Sequence, residues 1–297
     1  MRMSFAPTLT PIRAQSKMEP SSRLMRTASL VGGLLLGAIT ALAPSDTRAA
    51  TMEAVYSITI AGFSVGTADV KSSFDGGAYS IDLQARLTGL AGLLVEGRGA
   101  ASASGTVSGQ RVTPRAFASN TRSSQASRVV RMGLRNGAVA AVEITPPLEE
   151  HADAIPVSAA HKQGVVDPIS AFLMPARVSG DLMDPRNCER TIPVFDGAAR
   201  FDIVLSHAGQ RDVSKPGYSG PVLVCTARFK AVSGHRPGRE AVRFMEENRD
   251  MAVWLAPFPA NASLVPMRIE VRTQIGMSII EAARISLSPD PRQAAAR

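Results

Sequence analysis

The stretch Val65-Gly-Thr-Ala-Asp-Val-Lys-Ser-Ser-Phe74, followed by Asp75-Gly76-Gly77 and then Tyr79-Ser-Ile-Asp-Leu-Gln-Ala-Arg-Leu-Thr88, decides the fold. In its second half Tyr79, Ile81, Leu83, Ala85 and Leu87 alternate with Ser80, Asp82, Gln84, Arg86 and Thr88. A period of two sets one row on a buried wall and the other in water, which is the signature of a strand and not of a helix. Asp-Gly-Gly between the halves supplies residues that accept the positive φ of a tight hairpin turn. Two antiparallel strands are therefore predicted here.

The same grammar recurs outward in both directions. Tyr56, Ile58 and Ile60 alternate with Ser57, Thr59 and Ala61 until Gly62 breaks the run. Asn136-Gly137 separates Arg128–Leu134 from Val139–Ile144, and Asp196-Gly197 separates Ile192–Phe195 from Phe201–Leu205. Further strands are predicted at Val222–Phe229, Leu264–Thr273 and Met277–Leu287. Helices are few. Asp167 can cap, and Pro168 can open, two turns over Ile169–Met174 before Pro175 stops them, and Arg239–Asn248 is the second candidate. Pro146 to Gly164, with three prolines and two histidines, reads as a connection.

The βα alternation of a parallel sheet is missing. The prediction is a single all-β domain over residues 51–288: a large antiparallel sheet curled into an open barrel or β-spiral, with one or two short helices. Curling buries one face of many strands and limits exposed edges. Residues 289–297, rich in Pro, Ala and Arg, are expected to form a flexible tail.

Residues 1–50 read as a signal peptide and linker. Arg13, Lys17, Arg23 and Arg26 precede an uncharged run from Ala28 to Ala43, and a small-residue stretch ends at Ala49 and Ala50. The apolar run falls short of the ~20 residues that span a bilayer. Cleavage near Ala49 or Ala50 is expected, with export to the periplasm; the alternative is an uncleaved leader anchoring the domain to the inner membrane. Translation from Met18 or Met25 would shorten the basic segment without touching the domain.

The formal charge of +8 falls to +4 without the leader, whose six basic residues stand against Glu19 and Asp46. Nucleic-acid binders cluster Lys and Arg among aromatics. Aromatics here make up 5 % and no such basic run occurs, so nucleic acid is excluded as a partner. Weak peripheral contact with an anionic membrane stays open.

The chain resembles the domain-of-unknown-function (DUF) 3108 family of exported bacterial envelope proteins. The residues that carry the likeness begin with Tyr56-x-Ile-x-Ile-x-Gly62-Phe63-x-Val-Gly66. Tyr79-x-Ile ahead of Thr88-Gly89, Gly105-Thr-Val and Pro114 follow. Next come Asp167-Pro168-Ile-Ser170 and Val194-Phe-Asp196-Gly197-x-x-Arg200-Phe201-Asp202. Cys225, Trp254-Leu255, Leu264-Val265-Pro266-Met-Arg268-Ile and Gly276 complete it. The resemblance implies a periplasmic all-β protein without an assigned reaction.

Cys188 and Cys225 are the only cysteines, and an even pair in an exported chain is expected to form a disulfide. Without C-x-x-C spacing a redox role is the lesser reading. Gly62-Phe63-Ser64-Val65-Gly66 matches the G-x-S-x-G nucleophile elbow in letters, but strand-like text follows where the motif requires a helix, so a turn is expected. His151, His161, His207 and His235 lack metal-ligand spacing, and Gly97-Arg98-Gly99 leads into no helix, so neither a metal nor a nucleotide cofactor is expected.

Arg200 and Asp202, two apart on a strand, share a face and are read as ion-pair residues; an anionic head group on Arg200 is the functional alternative. Asp196 shapes its turn. Trp254, with Phe258, is expected to plug a sheet end, or to stack on a ligand.

The function expected is a periplasmic, non-catalytic protein that binds a lipid or peptide in its curled sheet and supports envelope integrity. A hydrolase acting on envelope material is one alternative. A structural partner of another envelope protein is the other, and it calls for a large exposed apolar patch.

Overall fold

Alternating burial along the chain builds the sheet. In β1 (Ala50–Ile60) Ala50, Met52, Ala54 and Tyr56 are buried and the residues between them are not. A computed structural model describes residues 49–87, 97–123, 126–177, 180–259 and 262–288. Residues 1–48 and 289–297, on which the signal-peptide and tail expectations fall, lie outside the described residues, and Ala50, the end of the expected leader, is already buried in β1. Among those described, β1 is followed by β2 (Phe63–Asp75), β3 (Ala78–Leu87), β4 (Gly97–Ser108), β5 (Arg111–Ser123), β6 (Ser127–Arg135) and β7 (Ala138–Thr145). After a connection come β8 (Met174–Pro175), β9 (Arg190–Phe195), β10 (Arg200–Lys215) and β11 (Tyr218–Ser233). Helix α1 (Glu240–Glu247), β12 (Met251–Phe258), β13 (Ser263–Thr273) and β14 (Gly276–Ser288) complete the domain.

All strands belong to one antiparallel sheet, ordered β7-β6-β5-β4-β3-β2-β1-β14-β13-β12-β11-β10-β9, with β8 on β13. Strands β1 to β7 and β9 to β14 each pair with their neighbours in sequence, β1 pairs with β14 to join the two runs, and β8 breaks the order by pairing with β13. Two-residue turns set the register at Gly76-Gly77, Asn136-Gly137 and Pro216-Gly217.

The strand ladder leaves β7 and β9 as edges, and one segment ties both. Gln163 bridges Ala138 of β7, and Val166 makes a parallel bridge to Val194 of β9. Gly164 N donates to Gly137 O at 2.8 Å, Val166 N to Pro193 O at 2.8 Å, and Phe195 N to Val166 O at 2.9 Å. The turn after β9 also reaches the far wall. Gly197, at φ +103°, leaves a Cβ position only 2.7 Å from Val130 Cγ1 and within 3.7 Å of Val142 and Ile144. The sheet thus curls until its ends meet through a strap and side chains, giving an open barrel.

Strands β4, β5 and β12 escape the sequence pattern for physical reasons. The inward residues of β4 are Ala101, Ala103 and Gly105, too small to register as an apolar row, and a Cβ on Gly105 would lie 2.7 Å from the Tyr79 hydroxyl. In β5 Pro114 opposes Gly105 beside a register shift, so the proline sits at a bulge. Strand β12 is covered on both sides and shows no alternation. The two-turn helix predicted over Ile169–Met174 is corrected to one 3₁₀ turn, Ser170–Phe172. The Asp167 carboxylate satisfies that turn's free amides, and β13 then captures Met174 opposite Leu264.

A second layer covers the outside of β10–β13. Val222 faces the main core, whereas Leu223, Cys225 and Ala227 face a satellite cluster with Met174, Cys188, Leu205 and Leu255. Cys188 and Cys225 are bonded (Cα–Cα 5.5 Å) and fully buried, fixing the turn Pro185–Asn187 onto β11. Asn187 organises that segment: its Oδ1 accepts from Arg177 N, and its Nδ2 donates to Asp181 O and Leu182 O.

Replacing both cysteines by serine is expected to lower stability by about 3–4 kcal/mol, the loop-closure entropy of that crosslink. An unchanged melting temperature would show that the bridge contributes nothing. Gly197→Val is expected to cost about 2–3 kcal/mol by overpacking the meeting of the two sheet ends. A urea midpoint equal to wild type would show that the ends do not meet there.

Candidate functional site

The inward rows of β1, β2, β3, β13 and β14 surround a cavity of about 290 Å³. Its walls are almost wholly apolar, among them Ile58, Val70, Ile81, Leu83, Val265 and Ile280. This is at the lower end of small-ligand pockets, about 300 Å³. The strap forms the roof, with Ile169 buried, Leu173 packed beside it and Phe172 half-exposed at the lip. Tyr56, Ser263 and Ser72 are the polar side chains in the lining, and Ser72, 5 % exposed, has an Oγ with no hydrogen-bond partner.

The roof is held by a buried polar clasp. Asp167, fully buried, accepts from Ile169 N at 3.0 Å and Ser170 N at 2.9 Å through Oδ1, and from Ser170 Oγ at 2.5 Å through Oδ2. With that hydroxyl proton committed, Tyr79 on β3 donates its own to Ser170 Oγ at 2.6 Å. The chain Tyr79–Ser170–Asp167 therefore ties the roof to the wall opposite the strap's attachment. Desolvation raises the Asp167 pKa, against the lowering effect of the three donors. Burial likewise pushes the Tyr79 and Tyr56 phenols up. Tyr56 donates to Pro266 O at 2.7 Å, crossing from β1 to β13.

Other polar groups stand away from this cavity. Arg200 clasps Asp202 along β10, with Nη2 at 2.6 Å and Nε at 3.0 Å from Oδ1, and both side chains are under one-fifth exposed. Asp196 Oδ1 accepts from Ala198 N and Ala199 N and holds the turn that carries Gly197. Trp254 lies under the Arg268 guanidinium, 5.2 Å from the ring centroid. Arg268 also pairs with Glu270 and Glu281. Phe258 is buried and meets Phe74 edge-on, while Trp254 packs half-buried against the main core.

Ser64 lies exposed in β2, just past a hairpin tip, far from the strand-to-helix elbow its motif would need. His235 packs edge-on against Phe201 and Phe229. Among the described residues no group of three or more His, Cys, Asp or Glu could hold a metal ion.

Sequence reasoning saw Asp167 as a cap and Tyr79 as an inward strand residue but did not join them. Their separation of nearly ninety residues hides the contact. The visible hint was an Asp-Pro-x-Ser segment too polar for the apolar text around it.

Asp167→Asn keeps an acceptor for the two amides but cannot ionise. Because the folded carboxyl holds its proton above its ordinary value of 3.8, wild-type stability falls relative to the variant as pH rises from that value through the raised one. Urea midpoints of both proteins from about pH 4 to about pH 8 should diverge in that sense. A wild type that gains on the variant with rising pH would mean that the ionised carboxylate is the favoured form.

The family model described as "Protein of unknown function (DUF3108)" matches residues 55–282. Among solved structures, the chain is similar to a β-barrel-like protein of the domain-of-unknown-function DUF1849 from Brucella abortus. The identity is 12 %, the TM-score 0.48, and the likeness covers 81 % of this chain and 99 % of that one. No curated protein matches.

Proposed function

For this chain, which belongs to the DUF3108 family, we propose a non-catalytic role: binding the acyl chain of a lipid in the roofed cavity, outside the cytoplasm, in support of the cell envelope. The single observation that carries this reading is the apolar cavity beneath the strap, with Ser72 Oγ left unpartnered in its wall. A buried hydroxyl without a partner costs about 1–3 kcal/mol. Such a cost favours a guest that brings at least one polar atom.

A lipid suits the site better than a peptide. The backbone amides of a peptide would lose water against an almost wholly apolar lining, a cost an acyl chain does not carry. Catalysis has less behind it, because Ser170 is sealed at 1 % exposure and its hydroxyl is spent on Asp167. The buried disulfide fits the oxidising compartment to which the leader would direct the chain. No helix among the described residues is long and apolar enough to cross a membrane.

Two exposed apolar side chains, Phe63 (68 %) and Ile275 (74 %), project from neighbouring hairpin tips, which Ala61 N to Met277 O joins. Leu87 ends β3 beside them, opposite Gly66. These tips suit peripheral contact with a membrane at the end where a lipid would enter, and they are equally what docking onto an envelope protein would use.

Titration with the apolar fluorophore N-phenyl-1-naphthylamine should give saturable binding. Leu83→Trp, which fills the cavity, should weaken that binding at least about tenfold while the fold survives, since small-to-large changes in a void meet little resistance. Equal binding by wild type and variant, or none by wild type, would remove the cavity from consideration. Mass spectrometry of extracts from gently purified protein should reveal co-purifying lipid.

A further inference from the structure

Among the described residues the two most exposed large apolar side chains, Phe63 and Ile275, stand on two hairpin tips. These are Ala61-Gly62, between β1 and β2, and Gln274-Ile275, between β13 and β14. Because β1 pairs with β14, with Ile60 opposite Ser278, the tips lie side by side at one end of the sheet. Ala61 N donates to Met277 O at 2.9 Å, and a Cβ on Gly276 would lie 2.7 Å from that of Ala61. The two hairpins are thus locked into one stiff prow that holds both side chains in water.

Their chemical setting separates these tips from other turns. No Asp, Glu, Lys, Arg or His occurs from Ala54 to Ala68 or from Thr273 to Ile280. At the opposite end of the strands, four turns each have a charge beside them. Asp75 precedes Gly76-Gly77, Arg111 follows Gly109-Gln110, Arg135 precedes Asn136-Gly137 and Lys215 precedes Pro216-Gly217. Glu240 of α1, which accepts from Gln274 at 3.4 Å, is the acid beside the tips, and it is exposed. Charged groups resist leaving water, whereas uncharged tips carrying Phe and Ile suit the boundary between lipid headgroups and acyl chains.

One apolar row joins the tips to the cavity. Ile58 lines the cavity, Ile60 follows on the same face of β1, and Phe63 opposes Ile60. On β3 Ala85 lines the cavity, and exposed Leu87 continues its row opposite Gly66, which itself opposes Ile58. A protein is the poorer occupant. A stable interface takes about 20–30 residues a side, and Phe63, Leu87 and Ile275 on convex tips fall far short of that. We infer that these tips dock on a lipid bilayer, Phe63 and Ile275 settling beneath its headgroups, so that an acyl chain passes along Ile60 and Leu87 without crossing water. The inference rests on the proposed acyl-chain site and adds the partner that supplies its guest.

Sedimentation with vesicles of phosphatidylcholine and phosphatidylglycerol reads the docking directly. Phe63→Ser/Ile275→Ser is expected to lower the partition coefficient at least about tenfold. Its urea midpoint, and its binding of N-phenyl-1-naphthylamine from solution, should match wild type. High salt, which screens surface charge, should leave most of the wild-type vesicle binding in place. Phe63→Trp should bind as wild type does, and brominated acyl chains should quench its added fluorescence. Wild type, whose only tryptophan is Trp254, supplies the blank.

No vesicle binding by wild type, equal binding by the double serine variant, or Phe63→Trp emission untouched by brominated lipid would overturn the inference and leave the cavity standing. A wild type that ignores vesicles but self-associates, with the serine variant monomeric, would also overturn it, by making the tips an interface between copies. Tip-dependent vesicle binding in a protein that takes up no N-phenyl-1-naphthylamine would instead sink the acyl-chain reading and leave the membrane contact in place.

Discussion

A curled sheet that does not close hydrogen bond to hydrogen bond has two raw edges, and the rest of this structure depends on how they are satisfied. Unpaired strand amides invite other chains, and proteins rarely leave a long edge bare. Here the four residues Gln163 to Val166 touch both edges, reaching Ala138 and Gly137 on one side and Pro193, Val194 and Phe195 on the other. Pro193 offers no amide of its own, which shortens what β9 exposes. One strap thus anchors each edge at a single bridge.

Holding the strap has consequences for the interior. A segment drawn across the concave face carries its backbone out of water, and its polar groups require partners there. Asp167 and Ser170 supply them from within the strap, and Tyr79 supplies the link to the sheet. Room for the Tyr79 hydroxyl is made by the missing side chain of Gly105. The roof thereby stands off from the floor, and the side chains beneath it do not fill the gap. The cavity is what a sheet of this curvature leaves when its roof is pinned by polar contacts.

Much of the architecture was legible in the chain. Strands β1, β2, β3, β6, β7, β13 and β14 announce themselves through period-two rows and Gly-rich turns, because one of their faces is wet. The class and the open curl follow from these rows, and the family from the motif residues spread along the chain. What was hidden had no periodic signal to give. β4 carries mostly Gly, Ala and Ser, with Gly105 leaving room for the Tyr79 hydroxyl, and β12 is apolar throughout because both faces are covered. Arg200 and Asp202 were within reach, being two apart on one strand. The clasp was not, since it joins Tyr79 to Ser170 across 91 residues of sequence.

The strap roofs the cavity: without it the apolar rows beneath would face solvent. Amide hydrogen exchange resolved to single residues tests this most directly. The amides of Gly164, Val166 and Phe195, all donors across the edges, are expected to exchange as slowly as those at the β1–β14 centre of the sheet. Rapid exchange at all three, with β1 and β14 still protected, would contradict it and leave an open sheet with free edges.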